Sequence, residues 1–554
     1  MLPFSAVRVL RTASVLLLLL VPSLNAEGIK FREVSKEWGI DFHHHHGGSG
    51  KRYMVETMVG GVVMFDFDDD GDEDLFFVDG GVLPSYTGPP PRSRLFRNDG
   101  GHKFTDWTDR SGIKIASYGA GGSAGDVDND GDLDLFVTAF AGPDQLFRNN
   151  GDGTFTDVTA KAGVGDTLWS SSSAFADVDN DGDLDLYMVS YVDHSVANHK
   201  LCGDAKRKLE GYCHPDEYNP LPGRFYRNRG DGTFEDATQS AGFGGAVGPG
   251  LGVVFGDIDN DGWQDVFIAN DNKPNFLFHN KKDGTFEDVS LISGAGIGGH
   301  GRPEAGMGVD MADYDGNGLL DIVVTNYELE TNGLYKNLGD VAFVDSRSPA
   351  GIAEPSLMFL AFGVDFADLD QDGDPDLVIA NGHTNDNAAL FLEGSQFAQR
   401  NQVFENLGNG KFREDKATGM DVVRVSRGLA TGDLDGDGDL DVAIIDSNDP
   451  CEVYENVSAS GASGNWLQVK IAAPAGNRFG IGARLEVEAG GKRQVDDVRT
   501  ASSFLSQNAL AVHFGLGKNA KVDRLTVRRP GRPNRPGSVQ VFNGLPANRT
   551  LMIE

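Results

Sequence analysis

The chain has 554 residues, 74 of them glycine, with 39% hydrophobic residues and a net charge of −35. It is long enough to bury a large core, and glycine well above the usual ~7% points to many tight turns rather than long helices. So acidic a chain is a poor match for nucleic acid, and no segment after the N-terminus is long and apolar enough to cross a bilayer.

Residues 1–26 have the pattern of a cleaved export signal. Arg8 and Arg11 precede the apolar run Val15–Val21, and Leu24-Asn25-Ala26 offers a cleavage site after Ala26. The run is shorter than the ~20 residues of a membrane span. The expected destination is secreted, extracellular or periplasmic. In such an oxidising compartment Cys202 and Cys213, inside a polar insertion, can form a disulfide, while Cys451 has no obvious partner.

From residue 66 onward the pattern D-x-D-x-[DN]-G-x-x-D occurs seven times, at spacings of 60, 51, 80, 56, 55 and 65 residues, which marks a repeat architecture. Oxygens at positions 1, 3, 5 and 9, with a backbone carbonyl at 7 and a turn-permitting glycine at 6, can wrap one calcium ion. The expected ligands are Asp66, Asp68, Asp70 and Asp74 in the first loop and Asp126, Asp128, Asp130 and Asp134 in the second. The third and fourth offer Asp177, Asp179, Asp181, Asp185 and Asp257, Asp259, Asp261, Asp265. The fifth offers Asp313, Asp315, Asn317 and Asp321, and is the weakest because position 5 is an amide. The last two offer Asp368, Asp370, Asp372, Asp376 and Asp433, Asp435, Asp437, Asp441, for up to seven ions in all. An EF-hand needs a glutamate at position 12, where this chain has Phe77, Val137, Met188, Ile268, Val324, Ile379 and Ile444. The loops are not EF-hands. They hold 34 Asp and Glu residues, nearly the whole net charge.

Each loop is flanked by short apolar, β-branched or aromatic runs, such as GGVVMFD before the first and LFFV after it, so it caps a β-hairpin. A third strand in each unit ends in asparagine, at Asn98, Asn149, Asn228, Asn280, Asn337, Asn406 and Asn456. A fourth opens with Phe104, Phe155, Phe234, Phe286, Phe343 or Phe412, after a tight glycine-rich turn. Four strands per unit is the anatomy of a propeller blade. The seventh Phe strand is absent downstream, but KFREV, Lys30 to Val34, can supply it from the N-terminus and close the ring. The expected fold is all-β, a seven-bladed β-propeller over residues 27–464 followed by a small β domain over residues 465–554.

In that last segment the balance turns basic, with 14 Lys and Arg against 6 Asp and Glu, and LQVKI, ARLEVEA, LTVRR and VQVF alternate as strands. Docking on the acidic propeller is the expected use of its charge, and Arg528–Gly537 is a loop.

The repeats resemble FG-GAP/VCBS repeats, as in integrin α-chain propellers. The C-terminus resembles the ASPIC/UnbV domain in NRFGIGARLEVEAGGKRQ, FLSQN, HFGLG, VDRLTV and ANRTLMIE. Together they are similar to the cartilage acidic protein family, which implies export and calcium bound by the loop aspartates. Where that family often has WPSG this chain has RRPG, Arg528 to Gly531. The resemblance implies no single activity.

Catalytic motifs are sparse. Gly121-Gly122-Ser123-Ala124-Gly125 matches a nucleophile elbow but leads into a strand rather than a helix, and there is no HExxH. His43 to His46 read as a surface loop. If the calcium loops share one face, blade-to-blade connections open on the other. His44, Tyr53, Glu56, Trp169, His300, Arg302, Glu304, His383 and Arg427 fall in those connections or in the second-to-third strand loops and could ring a channel mouth. The candidate ligand-binding residues among them are His44, Glu56, His300, Glu304 and His383. Three functions stay open. The favoured one is a calcium-dependent adhesion or ligand-binding module for a protein, glycan or small molecule. The others are an enzyme acting on a glycan or secondary metabolite, and a structural matrix protein.

Overall fold

The computed structural model describes residues 28–458, 464–531 and 537–554. The expected export signal, residues 1–26, lies outside them. Seven antiparallel four-stranded sheets are each built around one aspartate loop. Their inner strands are Val62–Phe65, Tyr118–Gly125, Ser170–Ala176, Gly250–Gly256, Val309–Ala312, Ala361–Ala367 and Ser426–Gly432, and each packs on the next until the last returns to the first. This is a closed ring of blades, numbered here by their loops. No helix among the described residues is long and apolar enough to cross a membrane.

Closure has two devices. Phe31–Glu33 pairs with Glu452–Asn456 and becomes the outer strand of blade seven, with Phe31 opposite Asn456 as Phe104 is opposite Asn98 in blade one. The buried third-strand asparagines then tie neighbouring loops together. Asn149 Nδ2 donates to Leu133 O of its own loop at 3.2 Å and to Phe67 O of the preceding loop at 2.7 Å. Asn228, Asn280, Asn337, Asn406 and Asn456 repeat the pattern, and Asn98 completes the circle by reaching Leu434 of loop seven. Each amide satisfies two carbonyls that burial would otherwise leave unpaired.

The C-terminal segment forms two further sheets. Asn465–Ile471 lies between Val512–Gly517 and Arg549–Ile553, and the second sheet runs Lys492–Asp497, Arg484–Ala489, Lys521–Arg529, Ser538–Pro546. The segment sits on the aspartate-loop face. Lys470 Nζ donates to Gly71 O (2.8 Å), Arg478 to Asp130 O (2.8 Å), Arg484 to Gly318 O (2.9 Å) and Lys492 to Asp372 O (3.1 Å). Basic side chains therefore cap loop carbonyls, and the charge contrast seen in the sequence is a docking surface.

Between these sheets the chain leaves the C-terminal unit and enters the hub of the propeller. Thr500 bonds Phe175 O at 2.7 Å, Ser503 exchanges backbone bonds with Val309, and Gln507 exchanges them with Val62 and Met64. Gly122 N donates to Leu505 O at 3.1 Å. A Cβ on Gly61 or Gly121 would lie 1.9 or 2.6 Å from the Leu505 carbonyl oxygen, so these inner strands have room for the plug only as glycine. Ala501–Gln507 is buried throughout. The expected open channel is filled by the segment that contains FLSQN.

Candidate cation sites and the open face

Each aspartate loop is shaped by its ends. Position 1 accepts the position-6 glycine N–H, as from Gly71 to Asp66 (2.9 Å) and Gly318 to Asp313 (2.8 Å), with Gly71 at φ +98°. Position 9 staples the blade. Asp74 accepts Phe67 N at 3.0 Å and Asn98 N at 2.6 Å, and Asp441 accepts Leu434 N and Asn456 N, both at 2.8 Å. Inside this frame one carboxylate oxygen each from Asp66, Asp68 and Asp70, and from Asp177, Asp179 and Asp181, comes within 4.8 Å of the others. Asp68, Asp128 and Asp315 each keep a buried oxygen with no hydrogen-bond partner. Burial first, then neighbouring acids, push Asp66, Asp126, Asp257 and Asp433 up to about 7. Convergent oxygens without donors fit a hard divalent cation.

The loops are not equivalent. The residue before the latch asparagine turns toward position 3. It is basic in blades one to five, where Arg97 is 3.9 Å from Asp68, Arg148 favours the ionised form of Asp128, Arg227 is 3.7 Å from Asp179, His279 is 3.0 Å from Asp259 and Lys336 pairs with Asp315. In blades six and seven it is acidic. Glu405 helps raise Asp370, and Glu455 groups with Asp435 and His102.

On the opposite face the insertions of blades three and six meet. Tyr212 N donates to Asn385 Oδ1 (2.9 Å) and Asn387 Nδ2 to Glu210 O (2.8 Å), with the insertion pinned by a Cys202–Cys213 disulfide. They roof a cavity of about 270 Å³ whose apolar lining includes Met54, Met58 and Met307. Tyr191, Tyr212 and Tyr327 add aromatic rings and hydroxyls, and Asp271 and Glu330 are its two carboxylates. Phe504 and Leu505 of the plug belong to the same apolar cluster as those methionines, so the cup is closed beneath.

The residues expected at a channel mouth divide. Glu56 stands behind the cavity wall and accepts Tyr212 OH at 2.8 Å, its carboxyl raised by burial. His383, also buried, lies 3.3 Å from both Glu328 and Tyr327 OH. The others do not join them. Glu304 is held by both terminal nitrogens of Arg347 at 2.7 Å, and exposed His300 only flanks it at 3.6 Å. His44 is fully buried with Nδ1 accepting Asn448 N, its basicity depressed by burial and then by His46. Tyr53 and Trp169 pack around His194, and Arg302 is exposed. Arg427 is buried and donates to the carbonyls of Thr57 (2.7 Å) and Gly382 (3.0 Å), tying open-face loops together. A ring of the expected polar groups around an open mouth is therefore replaced by a cup above the plug, and none of the five candidate ligand-binding residues is in its lining. Sequence reasoning missed Asp271, Glu330, Tyr191 and Tyr327 because each sits in an ordinary second-to-third strand loop with no motif.

An FG-GAP-like repeat model matches residues 66–137, 126–188, 216–268, 257–324, 313–379 and 384–444, more than half of the chain. An ASPIC and UnbV model matches residues 473–554. Cartilage acidic protein 1 of Xenopus tropicalis is 27% identical over 497 residues, 83% of this chain and 68% of its own length. The Homo sapiens protein of that name is 28% identical over 491 residues, 83% and 67%. Among solved structures, the BP39L lectin from Burkholderia pseudomallei is 12% identical with TM-score 0.40, covering 72% of this chain and 96% of the lectin. An Agrocybe aegerita lectin studied for recognition of non-reducing terminal N-acetylglucosamine is 17% identical with TM-score 0.39, covering 69% and 88%. The chain belongs to the FG-GAP-like repeat proteins and carries an ASPIC and UnbV domain at its C-terminal end.

Proposed function

We propose that the protein is an exported, calcium-loaded β-propeller, residues 27–464, whose C-terminal domain, residues 465–554, locks the hub, and that it serves as a ligand-binding or adhesion module. The observation that carries this reading is the division of the two faces. The aspartate-loop face is committed to cations and to the basic C-terminal domain, whereas the open face carries long loops and a preformed cup on a rigid scaffold. Calcium is supported by the loop spacing and by unpartnered buried oxygens at Asp68, Asp128 and Asp315. Export is supported by the N-terminal sequence and by the Cys202–Cys213 disulfide.

The test is binding of the calcium-loaded full chain to glycan and small-molecule arrays, beside a Thr384→Trp variant that fills the cup. A ligand retained by the parent and lost by the variant, with melting temperature and calcium content unchanged in both, supports the reading. Equal retention by both places recognition elsewhere, and a metal-free protein by elemental analysis removes the calcium assignment.

A further inference from the structure

The cup has a chemical bias. Its two carboxylates, Asp271 and Glu330, come from neighbouring blades, and no lysine or arginine is among its lining residues. His214 is the only basic side chain there, and it is exposed with Nδ1 3.5 Å from Asp216 outside the cavity. Asp271 is buried and accepts Tyr191 OH at 2.5 Å and Asn272 Nδ2 at 2.7 Å, so its orientation is fixed by neutral donors. Glu330 accepts Ala305 N at 2.8 Å through one oxygen, and among the described residues no lysine or arginine pairs with its carboxylate, His300 being the one basic group that acts on it. Its carboxyl is raised by burial, then by Glu304 and Asp271.

Elsewhere on this face several buried acids are matched by arginine, although Glu56 is held by Tyr212 OH alone among side chains. Glu304 takes both ends of Arg347, and Asp446 and Glu452 flank Arg424. One buried and one half-buried carboxylate with no lysine or arginine in the cavity, lined also by three methionines and three tyrosines, make a place where positive charge is stabilised twice. The acids supply the long-range attraction, and electron-rich ring faces and polarisable sulfur supply the contact.

We propose that the cup binds a small organic ammonium ion, a protonated or quaternary amine with a compact apolar body, the nitrogen placed between Asp271 and Glu330. The volume, about 270 Å³, sits just below the ~300–1,000 Å³ usual for drug-sized ligands, so the body is no larger than a single substituted ring. A sugar would leave the methionine floor poorly matched, and a carboxylate or phosphate would meet like charge. This inference rests on the open face being the binding face.

The experiment is calorimetric titration of the calcium-loaded full chain with phenethylamine and benzyltrimethylammonium chloride, with 2-phenylethanol as the neutral counterpart at equal ionic strength. Both cations are expected to bind and the alcohol to bind at least tenfold more weakly. Glu330→Gln should weaken the cations about tenfold, the loss of one charged contact, without moving the melting temperature. Asp271→Asn is the second variant and should weaken the cations likewise, with some loss of melting temperature because its amide nitrogen replaces an oxygen that accepts Tyr191 OH or Asn272 Nδ2. Thr384→Trp should abolish binding. If the alcohol binds as well as the amines, is blocked by Thr384→Trp and ignores Glu330→Gln, the cup is a binding site but the ammonium assignment is wrong. If the amines bind and Thr384→Trp does not affect them, they bind outside the cup and the inference fails. If no probe binds at 10 mM, the inference fails, while the open-face reading is decided separately by the array comparison with Thr384→Trp.

Discussion

Asn98 Nδ2 donates to the carbonyl of Leu434 at 2.7 Å, joining the first aspartate loop to the last across 336 residues. The same amide holds Glu73 O of its own loop at 3.2 Å. Six equivalent asparagines make the other joints, and at this seam the latch is joined by the Phe31–Glu33 strand and by backbone bonds such as Gly428 N to Gly60 O at 3.0 Å. Replacing Asn98 by Leu strands two buried carbonyls and should cost about 2–4 kcal/mol. The check is the urea midpoint of Asn98→Leu beside Asn98→Asp, whose carboxylate can accept but cannot donate. A variant as stable as the parent would show that the latch is incidental.

Deleting residues 28–34 tests the other half of closure. Blade seven would lose its outer strand and present Glu452–Asn456 as a bare edge, a template for pairing with another chain. Concentration-dependent association is expected by light scattering, with a lower melting temperature. A deletion that stays monomeric and melts with the parent overturns the role assigned to Phe31.

The hub offers a sharper test, because a single side chain seats the plug. Phe504 is fully buried, with its ring 4.9 Å from that of Phe362 on blade six. Phe504→Ala should destabilise the whole protein by about 3–5 kcal/mol in one cooperative transition. Gly121→Val acts from the other side by displacing the Leu505 carbonyl. Two separate transitions, with only the C-terminal unit affected, would show that the hub does not depend on the plug.

Cation affinity should be graded around the ring. Loops six and seven gain a carboxylate from Glu405 and Glu455, while loop five has Asn317 at position 5 and Lys336 against Asp315. Calcium titration followed by calorimetry is expected to resolve tight and weak classes, with loop five in the weak one. Glu405→Gln and Glu455→Gln should each weaken one tight site by roughly tenfold. Seven indistinguishable sites would refute the grading.

Of these features, the loops, the hairpins, the seventh outer strand and the basic turn of the C-terminus were legible in the sequence. All are local strings or counts, fixed by aspartate spacing, the Phe and Asn strands and the tally of lysine and arginine. The asparagine latch was visible as a recurring letter but not as a bond, because its second acceptor lies one blade away. The plug was visible as FLSQN but not as an occupant of the hub, since nothing in its composition says which cavity it fills. His44, Glu304 and Arg427 were misread for one reason. A polar residue in a connecting loop looks exposed, yet here Arg347 pairs with Glu304, backbone carbonyls take Arg427, and His44 is fully buried accepting Asn448 N.

One pH effect follows from such burial. His194 is nearly inaccessible among Phe140, Trp169 and Tyr218, and burial, then His199, lower its pKa to about 4. A histidine lowered from 6.5 favours the fold while neutral. Its contribution is whole above pH 6.5 and is lost as pH falls toward 4, about 3 kcal/mol at most. The melting temperature of the parent should therefore fall relative to that of His194→Phe as the pH is lowered through that window. Parallel curves would count against the assignment.

The plug also sets a clock. Thr500 finds its partner 325 residues upstream, at Phe175, and Gln507 reaches back 383 residues to Ala124. Contacts of that span close the largest loops a chain can make and form slowly. They also wait for the ribosome, since the hub stays hollow until the last tenth of the protein has been synthesised. A nascent or truncated chain can complete blades but has nothing to wind them around. Maturation should accordingly be a late, single event, with the protein passing from protease-sensitive to resistant only after release.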